Sequence, residues 1–363
     1  MQKTSLTGLK KLIVLLLSIL MMITFMPSIA FATGSETDGN STEAQTSVET
    51  ASLTVKVDPS DANFYLEDAD NKQILPSDDG TFSLKSGETY NYTVTKKGYV
   101  GQSGTTSITS NETKSFVLTK STDNSNIDNT INSEWSSFRG NDTNMAIGNY
   151  ATPTTIDNTS FRWAKKYGSG WGNAPSVQII VDGKIVTMVN KKLYMIDPNT
   201  GDIVKSGDMV RAANWGYTPP TYADGMIFCP LANGTVQAFN AKTLESLWVY
   251  SDPLKGQSLS QITYSDGYLY TGFWNRETKK ANYVCLSTTD EDPKQTNESK
   301  TATWRHCEVG GYYWAGSVVI NNAVIFGTDD GEDGSTHPTS KLLSVDKKTG
   351  KVISSIGLAI LFQ

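Results

Sequence analysis

Ser176-Val177-Gln178-Ile179-Ile180-Val181, Asp182-Gly183, Lys184-Ile185-Val186-Thr187-Met188-Val189, Lys192-Leu193-Tyr194-Met195-Ile196 and Asp197-Pro198-Asn199-Thr200-Gly201 form the stretch whose reading decides the fold. Short runs rich in β-branched residues, joined by a two-residue Asp-Gly turn that tolerates positive φ, predict hairpin-linked strands. Asp197 and Thr200 can accept backbone N–H bonds, and Gly201 is free to adopt the left-handed conformation, so the chain turns again. The pattern then returns. Asp224-Gly225 and Asp266-Gly267 follow at intervals of 42 residues, and Asn321-Asn322 stands in the same place of a fourth copy. A unit of about forty residues recurring between Asn173 and Ser355 means propeller blades or solenoid coils.

The rest of the chain frames this repeat. At 363 residues it exceeds what one core serves, so two or more domains are expected. Gly 30, Tyr 16, Trp 8 and Phe 12 favour strands and turns. The formal charge of −6 supplies no basic footprint, which excludes nucleic acid and anionic lipid as partners.

Lys3, Lys10 and Lys11 precede the apolar run Leu12 to Met26, and Ala30-Phe31-Ala32 offers the small-x-small pattern of a cleavage site. Residues 1–32 therefore read as a signal peptide, and the mature protein as secreted or displayed at the cell surface, with no membrane span after removal of the signal. A retained anchor is the competing reading, disfavoured because a span needs about 20 apolar residues. No cysteine follows the apolar run to carry a lipid. Cys229, Cys285 and Cys307 are too few for a disulfide scaffold, even in an exported chain.

Residues 33–51 are polar and nearly free of large apolar side chains, so they read as a disordered linker. Residues 52–120 change character. Ser52 to Val57, Thr81 to Leu84 and Tyr90 to Val94 alternate with period two, and Lys114 to Leu118 closes the set, predicting a small antiparallel β-sandwich. Pro59-Ser60-Asp61-Ala62, Leu84-Lys85-Ser86-Gly87 and Lys97-Gly98-Tyr99 resemble surface-protein modules called PEGA domains, with an immunoglobulin-like spacer as the other reading. Residues 121–134 form a second polar linker. All eight tryptophans lie at or beyond Trp135, which places the main domain boundary there.

Ala238-Phe239-Asn240-Ala241-Lys242-Thr243-Leu244-Glu245-Ser246-Leu247-Trp248 resembles the blade motif of the quinoprotein-like, or PQQ-repeat, β-propellers. That motif runs Ala-x-Asp-x-x-Thr-Gly with a docking tryptophan four residues on. Trp135-Ser136-Ser137-Phe138-Arg139-Gly140 is similar to the motif that opens many such propellers. The resemblance implies an all-β chain: the sandwich, then a partial propeller of about four four-stranded blades over 135–363. Lys205 and Ser354 occupy the tryptophan position in copies one and four, and copy three carries an insertion between Thr289 and Ala302, before Trp304. Phe161-Arg162-Trp163-Ala164 reads as an outer strand arriving ahead of the first full repeat. The family usually has six to eight blades, so a shortened array with exposed sheet edges is expected, against a four-bladed ring.

Candidate ligand-binding residues are the aromatics ahead of the inner strands: Trp171, Trp215, Tyr217, Tyr313 and Trp314. In propellers such positions approach the central channel, where rings stack on sugars or clasp peptide side chains; the competing role is packing between blades. Asp329 to Gly334 is acidic but lacks the EF-hand spacing, so a solvated loop is expected and no metal site is assigned. Cys285 and Cys307 flank the insertion on neighbouring strands, where either a disulfide or two buried thiols can form. No catalytic residue is assigned: there are two histidines, His306 and His337, and no Gly-x-Ser-x-Gly or His-Glu-x-x-His pattern. The family likeness raises PQQ with calcium as a cofactor, but no Cys-Cys pair is present. The leading functional expectation is an exported non-enzymatic binding or scaffold protein with a protein or carbohydrate ligand at the cell surface. The alternatives are a PQQ-dependent dehydrogenase and an envelope assembly scaffold.

Overall fold

A computed structural model describes residues 49–121, 127–141, 144–148, 151–170, 173–213, 216–276, 278–312, 314, 316–329 and 340–357. The signal-peptide reading of 1–32 and almost all of the first linker fall outside these residues, as do Trp171, Trp215, Tyr313, His337 and most of the acidic loop.

Six strands build the sandwich. They are β1 (Thr50–Asp58), β2 (Asn63–Glu67), β3 (Thr81–Lys85), β4 (Tyr90–Thr95), β5 (Gln102–Thr106) and β6 (Glu112–Val117). They form two three-stranded sheets, β3-β1-β6 and β2-β4-β5. The expectation of a purely antiparallel sandwich is corrected here, because β1 pairs with β6 in parallel from Leu53↔Glu112 to Asp58↔Val117. Leu53, Leu66, Phe82, Leu84 and Tyr90 fill the space between the sheets, as their period-two spacing requires.

Four sheets follow. The first holds β7 (Ile179–Val181), β8 (Lys184–Val189), β9 (Lys192–Ile196) and β10 (Ile203–Asp208). The second holds β11 (Thr221–Ala223), β12 (Met226–Leu231), β13 (Thr235–Asn240) and β14 (Ser246–Ser251). The third holds β15 (Thr263–Ser265), β16 (Tyr268–Gly272), β17 (Lys280–Ser287) and β19 (Trp304–Val309). The fourth holds β20 (Val318–Ile320), β21 (Ala323–Gly327), β22 (Lys341–Asp346) and β23 (Val352–Gly357). Each is an antiparallel meander, here called blades 1 to 4. Asp182, Asp224, Asp266 and Asn321 all take φ near +50, the left-handed geometry expected of two-residue hairpin turns. The insertion of copy three adds β18 (Glu298–Lys300), which pairs in parallel with β14 and widens blade 2 to five strands.

Burial explains the composition of each blade. In β12, Met226 and Phe228 face the core shared with blade 3, while Ile227, Cys229 and Leu231 face blade 1. A strand covered on both sides needs the unbroken apolar run seen in Met226 to Leu231. β21 alternates instead, with Val324 and Phe326 buried toward blade 3. The inner strands β7, β11, β15 and β20 stand side by side in that order. Three apolar cores therefore join four blades, and among the described residues none joins blade 4 back to blade 1.

A repeated lock reinforces these cores. Trp304 of blade 3 donates from Nε1 to the Lys347 carbonyl of blade 4 (3.0 Å), and its ring lies 2.7 Å from where a Cβ on Gly350 would stand. Only glycine, here at φ +74, leaves room for that ring. Trp163 repeats the lock on blade 1 through the Pro198 carbonyl (2.8 Å) and over Gly201, and Trp248 on blade 3 through the Thr288 carbonyl (3.4 Å). Phe161–Ala164 is thus not a strand; it delivers Trp163 to the first turn. Lys205, in the tryptophan position of copy one, keeps the donor by giving its Nζ proton to the Lys242 carbonyl.

The possible Cys285–Cys307 bridge does not form, and all three thiols are free. Cys285 faces Trp304 and Asn282 faces Cys307 in the β17–β19 ladder. The two cysteines therefore sit three residues out of register and on opposite faces of the sheet.

The sandwich is joined to the blades along a shared surface. Tyr65 enters the core between blades 3 and 4, with its hydroxyl 3.1 Å from Glu67 Oε2 and 3.0 Å from the Arg305 carbonyl. Glu67, 1% exposed, pairs with the Arg305 guanidinium of β19. The Gly98 amide donates to Thr289 Oγ1 (2.9 Å), and Gln73 Nε2 to the Thr349 carbonyl (2.9 Å). The stretch 127–134 is likewise packed: Ile127 and Ile131 touch the blade cores, and the Ile131 carbonyl accepts the Tyr222 hydroxyl (2.5 Å).

Candidate functional site

The segments that lead into the inner strands are stitched across blades. Thr221 Oγ1 donates to the Ile262 carbonyl (3.2 Å), and Thr263, 42 residues later in sequence, donates to the Ser317 carbonyl (3.0 Å). Thr218 Oγ1 reaches the Ser258 carbonyl (3.3 Å), and the Val177 amide reaches the Gly216 carbonyl (3.1 Å). The Gly216 and Thr218 bonds flank Tyr217, and the Ser317 bond lies three residues beyond Trp314.

Those two residues meet. Tyr217, ahead of β11, and Trp314, ahead of β20, pack edge to face with ring centroids 4.9 Å apart and planes at 75°. They stay 39% and 47% exposed. Tyr312 behaves differently: it is buried against Tyr283 and Phe326 in the core of blades 3 and 4. Of the five expected aromatics, two come together at the loops of blades 2 and 4, and the other three fall outside the described residues.

Beside this pair the opening motif runs along the inner strands. Trp135 bridges to Ile180 of β7, and the Ser136 carbonyl accepts the Tyr222 amide of β11 (2.7 Å). Its continuation, Ser137 to Arg139 with Asn144, walls a cavity of about 270 Å³ against Gln261, Thr263 and Ser317. Arg139 takes φ +57 and holds its guanidinium 5.4 Å from the Phe138 ring centroid, a cation–π contact. Gln261 is 7% exposed and its Oε1 finds no hydrogen-bond partner, which leaves an acceptor turned to the cavity wall. Arg139 and Gln261 were missed as site residues in the sequence, where Arg139 counted only as part of a fold motif. Their role depends on the opening segment crossing the blades, which no local pattern encodes.

Residues 163–276 match the family described as outer membrane protein assembly factor BamB. The quinohemoprotein alcohol dehydrogenase of Comamonas testosteroni superposes with a TM-score of 0.50 at 14% identity, over 64% of this chain and 42% of that one. The repeat region has a β-propeller-type fold. Other matches are the quinohemoprotein alcohol dehydrogenase ADHIIG of Pseudomonas putida HK5 (TM-score 0.43, 14% identity, 53% of this chain and 35% of that one) and BamB from Moraxella catarrhalis (TM-score 0.27, 12% identity, 48% and 58%). No curated protein matches the sequence. The chain spans less than half the length of the first solved structures it resembles.

The resemblance of the repeat to quinoprotein-like blades raises the question of a quinone and its calcium ion. Among the described residues, the cavity at Arg139 and Gln261 offers a guanidinium, two carboxamides and hydroxyls but no carboxylate on its wall. Calcium calls for six to eight oxygen ligands, typically with carboxylates among them. Among the described residues no three His, Cys, Asp or Glu side chains converge. Among the described residues the donor set therefore does not fit calcium, and no chemical step is derived from it. Among the described residues, no helix is long and apolar enough to cross a membrane.

Proposed function

We propose that this protein is an exported binding protein whose PQQ-type blades hold a protein partner at their axial face, with Tyr217 and Trp314 as the contact. The observation that carries this reading is the edge-to-face pair left 39% and 47% exposed on stitched loops. Aromatic rings on rigid supports supply large contact area at small entropic cost, which is why they dominate interface energetics. The planes stand at 75°, so the pair forms a notch that takes an apolar peptide side chain, and not a flat platform for a sugar ring. Tyr217 lies within the 163–276 match to an assembly-factor family, which also favours a protein partner. Export rests on Lys3, Lys10, Lys11 and the apolar run behind them. The sandwich, which we read as PEGA-like, braces the blades through Tyr65 and Glu67 instead of serving as a loose spacer.

The test is selection of peptides from a display library on the purified chain, followed by affinity measurement on Trp314→Ala and Tyr217→Ala. Peptides with an apolar anchor should bind, and each substitution should weaken them by about tenfold or more, the loss of a contact worth 1.4 kcal/mol. Melting temperatures should stay within a few degrees of wild type. Selected peptides that bind both variants as well as wild type would refute the reading.

A further inference from the structure

A second cavity, of about 560 Å³, lies where the sandwich meets the outer turns of blades 3 and 4. Asn63 at the start of β2 and Tyr270 of β16 stand on its two walls, 9% and 0% exposed. Asn63 Oδ1 and the Tyr270 hydroxyl both lack a hydrogen-bond partner. The Cys285 thiol beside that hydroxyl is only a weak one. Buried polar atoms left in this state are unfavourable, and a pair of them lining one cavity is best explained by something that occupies it. Asn63 Oδ1 needs a donor and the Tyr270 hydroxyl needs an acceptor. An alcohol hydroxyl is both.

The charge of the lining is the second observation. Lys96 and Lys97 approach from the sandwich, Lys347 and Lys348 from blade 4, and they face two carboxylates, Asp61 and Asp346. Asp346 is occupied within its own turn, where Oδ1 accepts the Lys348 and Thr349 amides (3.0 and 2.7 Å) and the Thr349 hydroxyl (2.8 Å). Lys96 pairs with Asp61, Lys347 Nζ with Asp266 Oδ2 (2.6 Å) and Lys97 with Asp224 (3.6 Å). The Asp61 and Asp266 carboxylates are 65% and 77% exposed, so these pairs are solvated and exchange readily for another anion. Lys97 is held in place by crossing Gly267, where a Cβ would lie 2.3 Å from its Cδ. Four carboxylates thus meet four lysines, and of these lysines, among the described residues, only the Lys348 ammonium pairs with no carboxylate, which leaves it for an incoming anion.

We propose that this cleft binds a small polyol carrying a phosphate or carboxylate. Its anionic end lies on Lys347 and Lys348 with Lys96 opposite. Its hydroxylated body rests against Tyr268 and Tyr270, and a hydroxyl donates to Asn63 Oδ1 while accepting from Tyr270. The volume falls in the range of about 300–1,000 Å³ usual for small-molecule sites. This site is separate from the axial pair, so it stands or falls independently of the peptide reading.

The test is calorimetric titration of the full chain with D-glucose 6-phosphate, D-glucuronate, D-glucose and inorganic phosphate. Binding of one or both anionic sugars below about 10 mM is expected, with the better of the two naming the head group. Lys348→Gln, at an exposed position, should weaken that sugar by about tenfold. Tyr270→Phe should weaken it by roughly two- to tenfold while leaving the melting temperature of the free protein unchanged or raised, because it deletes an unsatisfied hydroxyl. Four results would overturn the proposal: no binding by either anionic sugar, glucose binding equally well, inorganic phosphate binding equally well, or affinities unchanged in both variants.

Discussion

The insertion of copy three shows how single residues set the balance of this fold. Lys300 carries a fully buried ammonium that donates to the Thr289 carbonyl (2.6 Å) and to Glu291 Oε1 (3.0 Å) and lies 5.2 Å from the Trp248 ring centroid. Glu298 accepts the Glu291 and Asp292 amides, both at 2.8 Å. Asp290 lies among these groups, and burial together with the Glu298 charge pushes its carboxyl up from 3.8 to about 6. The folded chain thus keeps a proton on Asp290 that the unfolded chain releases near pH 4, so stability from this group is lost as pH rises from about 4 to 6. Asp290→Asn should be more stable than wild type by about 1–3 kcal/mol near pH 7, with the advantage vanishing near pH 4. Urea denaturation at both pH values measures it, and an advantage that does not depend on pH would contradict the assignment. Leu244 illustrates a different residue-scale conflict. It occupies the glycine of the blade motif at φ +60, a strained choice for leucine, yet it is 2% exposed and fills the core between blades 1 and 2. The left-handed conformation costs roughly 1 kcal/mol against about 2–3 kcal/mol from burial, so packing wins and the motif is broken without loss of the turn.

At the scale of elements, the hairpins were legible because each is specified locally. Asp182-Gly183 and its counterparts dictate a turn whatever surrounds them, and the period-two runs on either side dictate strands. β18 was not legible: Glu298-Ser299-Lys300 is polar and three residues long, and becomes a strand only because β14 of another blade offers a free edge. Phe161–Ala164 misled for the same reason in reverse, since its apolar content serves a tryptophan lock and not a ladder. The sandwich was legible as strands, but its parallel β1–β6 pairing and its attachment to the blades depend on distant partners. That attachment has an energetic centre. Glu67 is enclosed by Tyr65 and Arg305, so Glu67→Ala leaves the partly buried Arg305 guanidinium without its carboxylate. The expected loss is about 3–5 kcal/mol by chemical denaturation, and a loss below about 1 kcal/mol would show that the sandwich and blades are not energetically joined.

For the molecule as a whole, the decisive contrast is between inner and outer blades. Blades 2 and 3 are covered on both faces, whereas blade 4 presents Val318, Ile320, Leu342, Val352, Ile353 and Ile356 to solvent. A sheet of this kind is built to be covered, because its apolar side chains and the open edge of β23 are the features that blade stacking normally buries. Ile353 and Ile356 are 59% and 60% exposed on β23, Ile356 opposite Leu342 and Ile353 at the bulge of that edge strand. Wild-type protein should therefore self-associate with rising concentration in sedimentation velocity. Ile353→Lys with Ile356→Lys should shift it toward monomer, because edge lysines oppose strand pairing. Exposed substitutions of this type change stability by about 0.5 kcal/mol or less, so the melting temperature serves as the control for folding. A wild-type chain that remains monomeric at every concentration would mean that this face is satisfied without a second molecule, and the apolar exposure on blade 4 would then need another cause.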